Sequence, residues 1–167
     1  MTTVHQGACY CGSVQIEVSG EPEIMGFCHC RSCRAWSASP VHASAMWKPE
    51  SVRIVAGREH LRTFHKTPES HSHRQFCGRC GGHLMVAAPE WGLIDVSPAI
   101  LPSLRFIPVG HANYSESILP MKDGLPKYRD FPEELGESGE LMPDQCFRAS
   151  DAGRATTQTQ NVTESVD

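Results

Sequence analysis

Hydrophobic and polar positions alternate along much of the chain. In SVQIEVSG, residues 13–20, Val14, Ile16 and Val18 are separated by Gln15 and Glu17, the period of two that marks a strand with one buried face. Gly12 and Gly20 punctuate its ends as turns. SVRIVAG, residues 51–57, repeats the pattern through Val52 and Ile54, and LRTFHKT carries Leu61, Thr63 and His65 towards Pro68. These three segments are predicted as consecutive antiparallel strands. HLMVAA and GLIDVSPAIL are apolar runs of strand length, broken by Gly or Pro too often to sustain a long helix. The one helix the pattern allows is a turn or two after Cys33. The expectation is an all-β domain over residues 5–132, with its cysteines on loops.

From Glu133 the pattern lapses. ELGESGELMPDQ and SDAGRATTQTQNVTESVD hold few large apolar residues, so burial cannot offset their ordering entropy, and residues 133–167 are predicted as a flexible tail. The full chain of 167 residues is long enough for one domain with a real core. A formal net charge of -4 and 7% aromatic residues supply neither a phosphate-neutralising stripe nor stacking platforms, so nucleic acid is not an expected partner. The start, MTTVHQGACYCGS, lacks the basic-then-apolar pattern of a signal peptide, and no apolar run is long enough to span a bilayer. The expectation is a cytoplasmic protein without membrane contact.

In a reducing compartment, closely spaced thiols bind metal more readily than they form disulfides. Of the eight cysteines, Cys9 and Cys11 form CYC, Cys28, Cys30 and Cys33 form CHCRSC, Cys77 and Cys80 form CGRC, and Cys146 stands alone. Cys-x-x-Cys followed by glycines is a knuckle that points two sulfurs at one ion, and Gly78, Gly81 and Gly82 give it a permissive backbone. With Cys9 and Cys11 it would complete a closed tetrahedral site, the structural form of zinc. A thioredoxin-like redox role for CGRC fits less well, because that motif opens a helix and Gly81-Gly82 argues against one.

Cys28, Cys30 and Cys33 are then three ligands for a metal that prefers four. Three protein ligands with an exchangeable position describe a catalytic zinc, and three thiolates suit activation of a substrate thiol better than of water. The alternative is a second structural site closed by another side chain. His29 lies between two ligands on extended backbone and should point away; His71, His73 and Cys146 are the other candidates. Spacing alone leaves this choice open, along with other divisions of the seven clustered cysteines.

The order GACYCGSV, GFCHCRSCR, RQFCGRCGG and SESILPMKDGLPKY resembles the glutathione-dependent formaldehyde-activating (GFA) family, which includes the GFA-type domain of a centromere protein. The resemblance covers roughly Gly7 to Tyr128. It implies a β-tent (Mss4-like) fold of antiparallel sheets with two zinc ions. It assigns a structural ion to Cys9, Cys11, Cys77 and Cys80, and a catalytic ion to Cys28, Cys30 and Cys33. It also implies a carbon–sulfur lyase acting on a small thiol, glutathione or a relative, and an aldehyde-derived carbon, as in S-(hydroxymethyl)glutathione synthase.

After CHCRSCR this chain has AWSASP where the family commonly carries a further basic residue and a Ser/Thr-Gly pair. Trp36 and HASAMWKP, residues 42–49, are expected to shape the wall beside the open site. Arg31, Arg34, Lys48 and Arg74 are candidate contacts for a carboxylate-bearing thiol, and Glu116 and Asp95 candidate proton-transfer groups. The rival expectation from another class is a zinc-stabilised binding or scaffold module.

Overall fold

A computed structural model of the chain describes residues 2–143. Cys146 and the rest of the expected tail lie outside the described residues. Among these residues ten strands build two sheets, with one α-helix beside them. The smaller sheet orders β1 (Val4–Ala8), β2 (Gln15–Ser19) and β5 (Val52–Ala56) as β1-β2-β5. The larger contains β3 (Ile24–Cys28), β4 (His42–Trp47), β6 (Leu61–Phe64), β7 (His73–Cys77), β8 (His83–Ala88), β9 (Leu93–Val96) and β10 (His111–Ala112). Its order is β10-β3-β4-β9-β8-β7-β6, antiparallel except where β10 runs parallel to β3.

The alternation read in SVQIEVSG is realised: Ile16 and Val18 are fully buried, Gln15 is exposed and Glu17 half-buried. Val14, Ile16 and Val18 meet Ala45, Trp47, Leu84, Met85, Val96 and Leu101 in one core, and the same cluster holds Cys9 and Cys77. Trp47 satisfies its ring N–H on the Gly20 carbonyl at 3.0 Å, so burying it leaves no orphan donor. The mostly β architecture agrees with the all-β expectation.

The predicted run of three consecutive strands is corrected at one point. β5 pairs with β2, whereas β6 pairs with β7 in the other sheet. Gly57 makes this transfer. Its φ of +70° turns the chain into the 3₁₀ segment Arg58–His60, and a Cβ there would sit 1.7 Å from the Ser13 carbonyl oxygen.

The helix, α1 (Arg31–Ser37), starts before Cys33 rather than after it. Cys30 is its N-cap, its sulfur accepting the Cys33 N–H at 3.3 Å, a role usually filled by Ser, Thr, Asp or Asn. Residues 133–143, grouped with the tail on composition, are part of the fold. Glu133–Leu135 form a 3₁₀ turn, Leu141 bridges Tyr128, and Met142 donates to the Lys127 carbonyl at 2.7 Å. Backbone pairing and the Arg129–Glu140 ion pair hold this stretch, which an apolar count does not register.

Candidate metal centres

Cys9 and Cys11 occupy the turn between β1 and β2. The turn is tied by Cys9 N–H to the Val14 carbonyl at 3.0 Å and Gly12 N–H to the Cys9 carbonyl at 2.9 Å. Cys77 ends β7, and the knuckle closes through Gly81 N–H to the Cys77 carbonyl at 2.8 Å and Cys77 N–H to the Gly82 carbonyl at 2.9 Å. Gly81 alone of the three knuckle glycines has positive φ, +70°.

The four sulfurs lie within 4.8 Å of one another. Tetrahedral zinc with Zn–S bonds of about 2.3 Å needs sulfurs about 3.8 Å apart. Cys9–Cys11 at 3.6 Å and Cys11–Cys77 at 3.9 Å match. Backbone N–H groups of Val14, Arg79 and Gly82 point at Cys9, Cys77 and Cys80 at 3.3, 3.4 and 3.4 Å, an arrangement that favours thiolate. Hydrogen bonding by Ser13 pushes Cys11 down to about 6, whereas burial pushes Cys77 up. The donor set fits a metal ion compatible with zinc.

The second group is local. Cys28 ends β3, Cys30 caps α1 and Cys33 lies in its first turn; their sulfurs also fall within 4.8 Å of one another. Hydrogen bonding by Cys28, then Cys33, holds the Cys30 thiol far below its ordinary range. Hydrogen bonding to Cys30 pushes Cys28 up to about 12, and bonding to Cys28 and Cys30 raises Cys33. Three thiols this close to one another form a group whose protons a cation would displace. No fourth His, Cys, Asp or Glu joins them among the described residues. The Asn113 side-chain amide donates to Cys28 sulfur at 3.7 Å.

The family model for the glutathione-dependent formaldehyde-activating enzyme matches residues 4–113, well over half the chain and inclusive of all seven clustered cysteines. The chain belongs to this GFA family. A Schizosaccharomyces pombe protein named an uncharacterized lyase is 31% identical over 84 residues, which are 50% of this chain and 57% of that protein. The chain thus matches little more than half the length of that relative. The crystal structure of a Rhodobacter sphaeroides protein, a structural-genomics target, superposes with a TM-score of 0.50 at 26% identity. It covers 60% of this chain and 90% of that one.

Around the three-cysteine loop of this GFA chain, His29 turns away as its extended backbone implies. Its ring is buried against Tyr114, with Nε2 2.9 Å from His111 Nδ1. His111 Nε2 lies 2.8 Å from Asp123, which also accepts from Lys127 Nζ at 2.9 Å. Burial, then the neighbouring His111, pushes His29 down to about 4. His71 pairs with Glu90 at the surface and His73 packs on His65, so neither is a ligand.

The candidate cations divide. Arg34 braces the loop, with Nε to the His29 carbonyl at 2.8 Å and its guanidinium to the Glu116 carbonyl at 3.0 Å. Glu116 accepts the Arg31 N–H at 2.7 Å, which makes it an anchor for the start of α1 rather than a proton-transfer group; the Arg31 side chain is exposed. Arg74 is buried, bonded to Ser32 at 2.9 Å and set over the Trp36 ring. Lys48 is corrected. In the β3–β4 register Cys28 stands opposite His42, and Lys48 lies six residues further along, about 20 Å at strand rise, where it pairs with Glu23.

That register also joins His42, expected only as part of the wall beside the open site, to Asp95, a candidate proton-transfer group. His42 is the cross-strand neighbour of Cys28, and its Nε2 lies 2.9 Å from Asp95 Oδ2. Asp95 is itself fixed by the Ala45 N–H at 3.1 Å. A neutral His42 whose Nε2–H donates to the carboxylate presents Nδ1 as an acceptor. Trp36 stacks on His83 with centroids 4.2 Å apart. Both border, with His42 and Asp95, an open cavity of about 910 Å³.

Proposed function

We propose that the chain is a zinc-dependent carbon–sulfur lyase that joins a small thiol, glutathione or a relative, to an aldehyde carbon, or releases it, as an S-(hydroxymethyl)glutathione synthase does. The observation that carries this reading is the three-cysteine group at Cys28, Cys30 and Cys33, which no fourth side chain completes among the described residues. Zinc held by Cys28, Cys30 and Cys33 would supply a cationic position that favours the thiolate form of an incoming thiol. A second ion at Cys9, Cys11, Cys77 and Cys80 is structural.

The chain's own residues account for orientation and proton movement. Arg34 and Glu116 fix the loop that carries the ligands. His42, oriented by Asp95, offers Nδ1 to the proton leaving sulfur and returns it to the former carbonyl oxygen. One C–S bond forms, the carbon–oxygen π bond opens, and the proton balance closes. Arg31 is the exposed cation nearest in sequence to the ligands and remains the candidate contact for a thiol's carboxylate. The expected setting is cytoplasmic; no helix among the described residues is long and apolar enough to cross a membrane.

Cobalt substitution tests this. Addition of glutathione, cysteine or an apolar thiol should intensify the sulfur-to-cobalt charge-transfer bands and shift the ligand-field bands of one of two bound ions. No spectral response to any thiol would refute the open site and favour a scaffold with two structural metals. Cys146→Ser identifies a protein fourth ligand: a changed spectrum before thiol is added would likewise close the site.

A further inference from the structure

The β3–β4 register places more than the metal loop on one face. Cys28 stands opposite His42, Gly26 opposite Ser44 and Ile24 opposite Met46, so by the two-residue period these side chains share one side of the sheet. Residues 128–135 cross over that side. Between them lies a second cavity of about 270 Å³, floored by Ile24, Gly26, Cys28, Ser44 and Met46. Tyr128, Phe131 and Leu135 roof it, and Trp91 meets Phe131 edge-on at 5.3 Å across its wall.

Three properties define what fits. The lining contains no Lys, Arg, Asp or Glu, so it suits neither the carboxylates nor the ammonium of a peptide thiol. One polar side chain in it lacks a partner: the Ser44 hydroxyl is buried and makes no hydrogen bond among the described residues. A buried hydroxyl without a partner is uncommon and costly, and it marks a place where a ligand atom belongs. The volume exceeds the roughly 150 Å³ that accommodates benzene in an apolar cavity.

We propose that this cavity binds the carbon-side substrate, and that this substrate is an apolar aldehyde of benzyl or hexyl size rather than a one-carbon aldehyde. Its hydrocarbon lies among Ile24, Met46, Trp91, Phe131 and Leu135, and its oxygen accepts from the Ser44 hydroxyl. Ser44 and Cys28 are diagonal neighbours across the strand pair, about 7–8 Å apart at Cα, which brings the carbonyl end towards the metal ligands. The proposal rests on the lyase reading for what happens next to the bound aldehyde, but the binding itself does not.

The test uses alcohols, which match the aldehydes in shape and form no bond to a thiol. Methanol, propanol, hexanol and benzyl alcohol are titrated into the zinc-loaded full chain, with saturation-transfer NMR and Trp91 fluorescence as readouts. Affinity should rise about fourfold per methylene until the cavity is full. Ser44→Ala should weaken hexanol about fivefold and leave toluene unchanged, because one hydrogen bond is removed and no apolar surface. Trp91→Ala, at a half-exposed position, should weaken both. Affinity independent of chain length, or equal losses for hexanol and toluene in Ser44→Ala, would overturn the proposal. Alcohol binding that persists while cobalt fails to respond to thiols would retain the cavity and remove the lyase reading.

Discussion

Replacing Cys77 by serine should cost far more stability than replacing Cys28, although each change removes one sulfur from a metal cluster. The difference lies in what a metal at each cluster would tie together. The closed site joins the β1–β2 turn to the β7–β8 knuckle, and Cys11 and Cys77 are separated by 66 residues. A cross-link of that span removes about 4 kcal/mol of conformational freedom from the unfolded chain. The three-cysteine site links positions within one six-residue stretch, and the same relation gives about 2 kcal/mol. Cys77 is also fully buried in the core, so losing the metal would leave thiols facing apolar neighbours, whereas the Cys28 group is half-buried. Against a total of about 5–15 kcal/mol for a domain, the first loss threatens folding and the second does not. Urea unfolding of zinc-loaded variants, with metal per chain measured in parallel, reads both. Cys28→Ser should retain one ion and a cooperative transition lowered by about 2 kcal/mol, and Cys77→Ser should lose about 4 kcal/mol or more. Equal losses, or a larger loss for Cys28→Ser, would refute the division into a clamp and an open site.

Gly57→Ala should destabilise by more than the 1 kcal/mol typical of glycine replacement, because the new methyl meets the Ser13 carbonyl as well as a strained φ; thermal melts would show it. His42→Asn should lower turnover of a hemithioacetal substrate about 10²-fold or more while leaving metal content unchanged, and a normal rate would remove His42 from proton transfer. Glu116→Gln should keep the hydrogen bond to the Arg31 N–H but lose the charge at the start of α1, and Glu116→Ala should lose both. Metal retention at the three-cysteine site against a chelator should therefore fall in the order wild type, Gln, Ala, and an unchanged series would show that the anchor is dispensable.

The chemistry of this chain was more legible than its topology. Cysteine spacing is a local property, so CYC, CHCRSC and CGRC could be grouped without knowing any strand pairing, and the structure brings the same groups together. His29 could be set aside for the same reason, since neighbouring residues on extended backbone face opposite ways. Register is not local. His42 meets Asp95 across 53 positions, and Ser44 faces a cavity whose roof is more than eighty residues away, so no window of sequence joins them. Lys48 was misplaced by the same blindness: it is close to His42 in sequence but at the far end of the hairpin in space. β3 hid because IMGFC is half-buried throughout and shows no alternation, and β10 because two residues carry no period.

The short span of the three-cysteine loop has an implication for how this protein can change. Its ligands occupy one continuous segment between β3 and the first turn of α1, and none of them clamps one sheet to the other. On the proposed reading, a metal held there would be a detachable module on a frame that a metal at the four-cysteine cluster secures. A few substitutions between residues 30 and 33, clear of Cys28 at the cavity floor, would silence the proposed chemistry and leave the sheets, the apolar cavity and the four-cysteine cluster intact, so one fold can serve as an enzyme or as a recognition domain.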